Sequence, residues 1–298
     1  MSEMILNPKP KSFPKHTAQV VETLNFVKKF CGKTMLIKIG GALLQDHRLL
    51  IQLCDDLSLM RACGISLVIV HGGGVQINQE LEAKGITWSF HEGQRVTTLE
   101  MMGVVEMVLR GKINSPIIRT LNTAGVKAVG LSGADGGLLQ CSRLDPRLGE
   151  VGQIDKVNTE ILNGYLEGQK KSMQGYIPVI APMGVDLSGQ ALNINADWAC
   201  SVIAQALGIV KVIYLTDQDG ILNHDKTLIS EVDLSGLQKL IDTQVVQGGM
   251  LAKTKTIIKA LESGVEQIHI INGSRAHSLI EEIFTDRGIG TICRAQWN

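Results

Sequence analysis

The sequence predicts an α/β protein, a three-layer αβα arrangement around a central, mainly parallel sheet. Short apolar runs rich in β-formers recur along the chain, each followed by a stretch with helical spacing of apolar residues. Those stretches are long enough to serve as crossovers between parallel neighbours. Glycine is abundant, at 32 residues, and much of it falls where strands end, as tight loops against a close neighbour require.

At 298 residues the chain can bury a large core, as one domain or two lobes. Charges balance at 29 against 29, which argues against nucleic-acid or anionic-membrane partners held by a global field. Aromatics, at 4%, are too few for base-stacking platforms. The six cysteines are scattered, with no C-x-x-C pair and no His at zinc-ligand spacing. They read as free thiols of a reducing compartment, and no metal site is expected. The opening residues lack the apolar core of a signal peptide, and no 18-residue apolar run occurs. A cytoplasmic protein without membrane partners is the expectation.

Residues 1–16 are polar, contain several prolines and read as a tail. Thr17 can cap a helix on which Val20, Val21, Leu24, Val27 and Phe30 share a face. This helix precedes the first strand, so its apolar face needs a partner, in the chain's own core or in another subunit. MLIKI (35–39) is the first strand and 42–62 a helix. SLVIVH (66–71) is the second strand, with a helix over about 75–84. Helices over 99–109 and 115–124 follow, with Pro116 suited to the first turn of the latter. VKAVGL (126–131) is a strand, 138–154 has the pattern of a β-hairpin, and a helix over 159–167 leads into the strand YIPVIA (176–181). The second half repeats the grammar: a helix over 196–207, the strand KVIYLT running to Asp217, helices over 234–241 and 250–262, the strand EQIHII (266–271) and a short helix over 277–284.

Ligands of such sheets gather at the carboxyl ends of the strands, and four features fall there or at helix starts. Lys38 interrupts the first apolar strand just before Gly40 and Gly41; alone, it reads as a lysine snorkelling to water. His71-Gly72-Gly73-Gly74 follows the second strand and leaves the first amides of the next helix bare for an anion. In Asn193-Ile194-Asn195-Ala196-Asp197, alternation sets both asparagines on one side, Asp197 begins a helix, and either Asn can be its cap. Gly248-Gly249 opens a helix that carries Lys253 in its first turns, against the macrodipole's preference unless an anion binds there. Lys255 and Lys259 read as a solvated face.

Common nucleotide and hydrolase motifs are absent. Cys31-Gly32-Lys33-Thr34 mimics the end of a P-loop, but residue 27 is Val and the segment precedes its strand. There is no G-x-G-x-x-G after the first strand and no G-x-S-x-G elbow. Two lysines and two glycine-rich anion sites suit phosphoryl transfer, whose barrier falls mainly through positioning and charge neutralisation. Asp197 can hold both ammonium groups in register, although one carboxylate with two lysines also reads as a structural network. No general base is evident. That suits an acceptor already ionised at neutral pH, such as a carboxylate.

Between residues 32 and 291 the chain carries, in order, KIGG, VIVHGGG, GQRVT, VGLSGADGG, VNTEIL, PVIAPMGV, NINAD, LTDQDGIL, GGMLAK and EIFTDRGIGT. This ordered set resembles the amino-acid kinase family, in particular its arginine-sensitive, hexameric members that act on N-acetyl-L-glutamate. The resemblance implies ATP-dependent phosphorylation of that substrate's side-chain carboxylate to an acyl phosphate in arginine biosynthesis, with Mg2+ accompanying the ATP. It implies a tail and oligomerisation helix over 1–33, an acceptor lobe over 34–205 and a nucleotide lobe over 206–298. Lys38 and Lys253 would stabilise the moving phosphoryl group, with Asp197 organising them. Gly73, Gly74, Arg95, Asn193 and Asn195 would bind the acceptor, Arg95 by a bidentate grip on its α-carboxylate. Gly40, Gly41, Thr216, Asp217 and Met250 would bind the nucleotide. His269, Glu282 and Gly288 match an allosteric L-arginine site beside the N-terminal helix of a hexamer built as a trimer of dimers.

Three positions depart from the family pattern: Phe26 stands where Tyr is common, Ala134 where Lys is common, and Gln218 where an apolar residue is usual. They bear on regulation and fine specificity more than on the reaction. Two other readings compete: a kinase for a carrier-bound aminoadipate, which the neutral composition does not favour, and a non-catalytic arginine-sensing homologue, which the retained Lys38, Asp197 and Lys253 argue against.

Overall fold

The computed structural model describes residues 15–172, 175–209 and 211–296. The tail expected over 1–16 lies almost wholly outside them. Helix α1 (Lys15–Phe30) begins ahead of Thr17, which therefore sits in its first turn instead of capping it.

The chain then alternates as expected. β1 (Thr34–Ile39), α2 (His47–Ala62), β2 (Ser66–His71) and α3 (Gly74–Ala83) come first, followed by a small hairpin of β3 (Phe90–His91) and β4 (Gln94–Arg95). Next are α4 (Leu99–Glu106), α5 (Ser115–Thr123), β5 (Ala128–Ser132), β6 (Leu139–Arg143), β7 (Gly152–Val157) and α6 (Glu160–Lys171). β8 (Ile177–Ala181), β9 (Met183–Val185), β10 (Ala191–Asn193), α7 (Ala196–Ala206) and β11 (Lys211–Thr216) follow. The described chain ends with β12 (Glu231–Asp233), α8 (Leu234–Asp242), α9 (Gly248–Glu262), β13 (Gln267–Asn272), α10 (Ser278–Phe284) and β14 (Thr291–Arg294).

Three boundaries differ from expectation for identifiable reasons. The helix expected from residue 42 is a single turn, Leu43–Gln45, and then Asp46 restarts the chain as the cap of α2 by accepting from the Arg48 amide. The two helices expected over 99–124 are one continuous rod, because Met107–Asn114 joins α4 to α5 through wide π-type turns. β3, β4, β9, β10, β12 and β14 are too short for any period to be counted in the sequence.

Eight strands form one sheet in the order β12-β14-β13-β11-β1-β2-β8-β5, parallel except where β13 meets β14. β6 and β7 pair antiparallel, the hairpin expected over 138–154, within a second sheet ordered β10-β9-β6-β7. Alternation along β1 explains the three layers. Met35, Ile37 and Ile39 pack on one face with Leu57 of α2, Val105 of α4 and Leu279 of α10. Leu36 packs on the other with Leu166 of α6, Ile203 of α7 and Ile257 of α9. Each fully buried Leu or Ile contributes about 1.5–3 kcal/mol, so both faces of the sheet hold the fold. β1 lies at its centre, flanked by β2 and β11, and the strand order switches direction there. The switch places the carboxyl end of β1 where ligands of such sheets bind.

Candidate active site

Lys38 shares its face of β1 with Leu36, the face covered by α7 and α9, and it is only 8% exposed. Its Nζ lies 2.8 Å from Asp197 Oδ1, and Lys253 Nζ lies 2.8 Å from Asp197 Oδ2. One carboxylate thus holds two ammonium groups, one per oxygen, with a positive charge left over. Burial pushes the Asp197 pKa up, but the ammonium groups of Lys38 and Lys253 together outweigh it and hold the carboxyl well below its usual range. For Lys253, burial first and the nearby Lys38 second lower the pKa, against the pull of Asp197.

Asp197 is fixed by its own helix. Asn195 caps α7, its Oδ1 accepting from the amides of Asp197 and Trp198. The Asp197 carbonyl accepts from Ser201 Oγ and, at 3.1 Å, from the Tyr214 hydroxyl. The Tyr214 ring also faces Lys253 Nζ at 5.3 Å.

A cleft of roughly 220 Å³ opens beside this centre, lined in part by Lys38, Gly73, Gly74, Arg95, Asn193 and Asp197. No side chain caps α3, so its first amides are left to the cleft. A Cβ on Gly73 would collide with Ile113 Cδ1 at 2.5 Å and Leu109 Cδ2 at 2.7 Å, both from the wide-turned segment. The helix behind the turn therefore requires glycine here. His71 is neutral and structural: Asn114 donates to its Nε2, its Nδ1 bonds the Gly72 carbonyl, and burial lowers its pKa to about 4.

Arg95 enters the cleft from β4. Its Nη2 donates to Asn78 Oδ1 and to the Gly74 carbonyl, its Cζ lies 4.9 Å from the centre of the Phe90 ring, and Nη1 is buried without a partner. Asn193 donates from Nδ2 to Thr97 Oγ1. The tip of the β3–β4 hairpin turns through positive φ at Glu92 and Gly93. A Cβ on Gly93 would lie 3.0 Å from Ala252 Cβ on α9.

On the far side of Lys253 lies a larger cleft, about 600 Å³, lined by Thr216, Asp217, Gln218, Val246, Met250 and neighbours. α9 starts there, also without a side-chain cap. Lys38 and Asp197 line the first cleft and Lys253 the second, so the ion-paired centre is where they join.

Most residues expected at the site are brought together: Lys38, Gly41, Gly73, Gly74, Arg95, Asn193, Asn195 and Asp197 around the first cleft, and Thr216, Asp217, Met250 and Lys253 around the second. Gly40 lines neither; its backbone packs on Leu215 and Thr216. Gly41 lies on the first cleft instead of the second, against the Gly73 backbone. Asn195 has spent its side-chain oxygen on the cap. His269, Glu282 and the amide after Gly288 form a separate cluster: His269 Nδ1 pairs with Glu282, whose Oε2 accepts from the Ile289 amide. Asn78, Phe90, Thr97 and Tyr214 were not singled out by the sequence. For Asn78 the signal was its place one helical turn after Gly74.

The sequence model of the Amino acid kinase family matches residues 33–272. The chain belongs to this family. An acetylglutamate kinase of Trichlorobacter lovleyi is 42% identical over 284 residues, which are 91% of this chain and 95% of that one. Another, of Caldanaerobacter subterraneus, is 46% identical over 278 residues, 92% of this chain and 91% of that one. Among solved structures, an N-acetylglutamate synthase from Neisseria gonorrhoeae, complexed with coenzyme A and N-acetyl-glutamate, superposes with a TM-score of 0.85 at 27% identity. That match covers 96% of this chain and 65% of the synthase chain. A carbamate kinase from Giardia lamblia bound to AMP-PNP shares the fold, at a TM-score of 0.61 and 16% identity over 89% of this chain and 99% of that one. For an amino acid kinase family member, two anion-ready helix starts either side of a two-lysine centre are the parts that phosphoryl transfer needs.

Proposed function

We propose that this member of the amino acid kinase family phosphorylates the side-chain carboxylate of N-acetyl-L-glutamate with ATP, a step of arginine biosynthesis. The observation that carries the reading is the Lys38–Asp197–Lys253 centre at the junction of two clefts. The acetylglutamate kinases among its relatives, matched over nearly their whole length, name the acceptor.

In this reading residues 34–205 form the acceptor lobe and 206–298 the nucleotide lobe, with 1–33 serving oligomerisation. Gly73 and Gly74 offer backbone amides at the start of α3 to the acceptor. Arg95 meets its α-carboxylate through Nη1 instead of through the bidentate grip expected from the sequence, because Nη2 already donates to Asn78 and Gly74. Asn193 supplies a further polar contact. Thr216, Asp217 and Met250 wall the nucleotide cleft, whose volume suits a mononucleotide, and the uncapped start of α9 faces its phosphates. Lys38 and Lys253 neutralise charge on the phosphoryl group as it passes to the carboxylate oxygen, and Asp197 holds them in register. The new bond joins that oxygen to phosphorus, the bond to ADP breaks, and no proton needs a base. Mg2+ would travel on the nucleotide's phosphates.

The α1 face bearing Val20, Val21 and Leu24 is exposed, which supports a second subunit as its cover and a hexamer as the assembly. The His269–Glu282–Ile289 cluster supports L-arginine control close to α1, whose Glu22 accepts from the Asp286 amide. Among the described residues no helix is long and apolar enough to cross a membrane. The free cysteines support a reducing, cytoplasmic location.

The test is incubation of pure protein with ATP, Mg2+ and N-acetyl-L-glutamate, with ADP release and hydroxylamine trapping of the acyl phosphate as readouts. Both should appear, and carrier-bound aminoadipate should be a poor acceptor. Absence of both signals at every acceptor concentration overturns the reading. An arginine titration and light scattering test control and assembly; a flat curve or a dimer refutes each in turn.

A further inference from the structure

The Arg95 guanidinium is fixed by groups outside the expected site. Asn78 Oδ1 and the Gly74 carbonyl both accept from Nη2, the latter at 3.2 Å. Asn78 lies on α3 one turn beyond Gly74, so both acceptors sit on one face of that helix. Phe90, the cross-strand partner of Arg95 in the hairpin, sets its ring centre 4.9 Å from the guanidinium carbon. Nη1 is buried and unpartnered, and Arg95 lines the cleft. An arginine side chain has large rotamer freedom, and holding it beforehand lowers the entropic cost of binding.

We propose that Asn78 is a positioning residue that sets selectivity for an acceptor bearing an α-carboxylate. It occupies Nη2, which leaves Nη1 as the guanidinium donor without a partner. Its amide is neutral, so the guanidinium keeps its full charge for the incoming anion. An aspartate of almost the same shape would neutralise that charge and repel the acceptor. The inference rests on the reading of Arg95 as the acceptor's carboxylate ligand.

The experiment measures steady-state kinetics of the full chain with N-acetyl-L-glutamate and with its α-carboxamide analogue, in the wild type, Asn78→Ala, Asn78→Asp and Arg95→Ala. Asn78→Ala should raise the KM for the acid about tenfold, with kcat and the KM for ATP within about twofold. Asn78→Asp should raise it further, about a hundredfold, and collapse the preference for acid over amide. A purely structural role predicts the reverse order, because Asp is the closer isostere. Asn78→Asp no worse than Asn78→Ala, or an unchanged acid preference in both, overturns the proposal. If Arg95→Ala is impaired while both Asn78 variants match the wild type, only the Asn78 inference fails. If Arg95→Ala itself keeps the wild-type KM and preference, the reading of Arg95 fails.

Discussion

In the smaller cleft the key polar side chains reach the wall already bonded: Lys38 to Asp197, Arg95 to Asn78 and Gly74, Asn193 to Thr97. In the larger cleft Thr216 turns its hydroxyl back to accept from the Gln218 amide, and Val246 and Met250 supply apolar wall. Both contain an uncapped helix start, that of α3 or of α9. Shared anion-binding ends with such different linings imply a division of labour. In the proposed reaction, discrimination would belong to the preorganised cleft, and the larger one would receive the phosphate-bearing ligand through backbone and apolar contact.

The comparison breaks first at the junction. Lys38→Ala or Lys253→Ala should each lower kcat about 10²–10³-fold in steady-state assays while leaving both KM values nearly unchanged. A larger effect on either KM than on kcat would move that lysine into one cleft. In the proposed reaction Lys253 acts as an ammonium ion, and burial lowers its pKa. Activity should therefore be lost as pH rises through a value below the ordinary lysine range, and a kcat profile flat to the ordinary value would contradict this. Next in size, Arg95→Lys should raise the acceptor KM about tenfold, because a point charge cannot replace a planar guanidinium; equal change in the KM for ATP would dissolve the distinction between the clefts. Met250→Ala should weaken ATP about fivefold, or about 1 kcal/mol, the low end for trimming an apolar contact, and leave the acceptor KM alone. The smallest effect is on stability. Asn195→Ala should cost about 1 kcal/mol in denaturant unfolding through loss of the α7 cap. A large rise in acceptor KM in that variant would give Asn195 a binding role beside the cap.

Lys38 and Lys253 were legible because each breaks a local rule: a charge in an apolar strand, a cation near the wrong end of a helix; Asp197 was legible as one of a polar cluster at a helix start. Their meeting is a consequence of the parallel order, which the alternation of strands and helices foretold. Arg95 was legible only through its motif, since alone it reads as a surface charge. Asn78 and Phe90 were silent, because their role appears only when α3 and the hairpin converge on one guanidinium. The wide turns at Met107–Asn114 were silent too, as their spacing still resembles two ordinary helices. Asn195 has two parts to play: its side-chain oxygen caps α7, the alternative open for either asparagine in the sequence, and the residue also lines the first cleft.

The central place of β1 has a consequence for synthesis on the ribosome. β1 finds β2 almost at once, but its other neighbour, β11, emerges only after two-thirds of the chain has been made. Until then one edge of an apolar central strand stays unpaired, the condition under which nascent chains stick to one another. Fragments that stop before Lys211 should therefore collect in the insoluble fraction, and chains extended past Thr216 should begin to escape it.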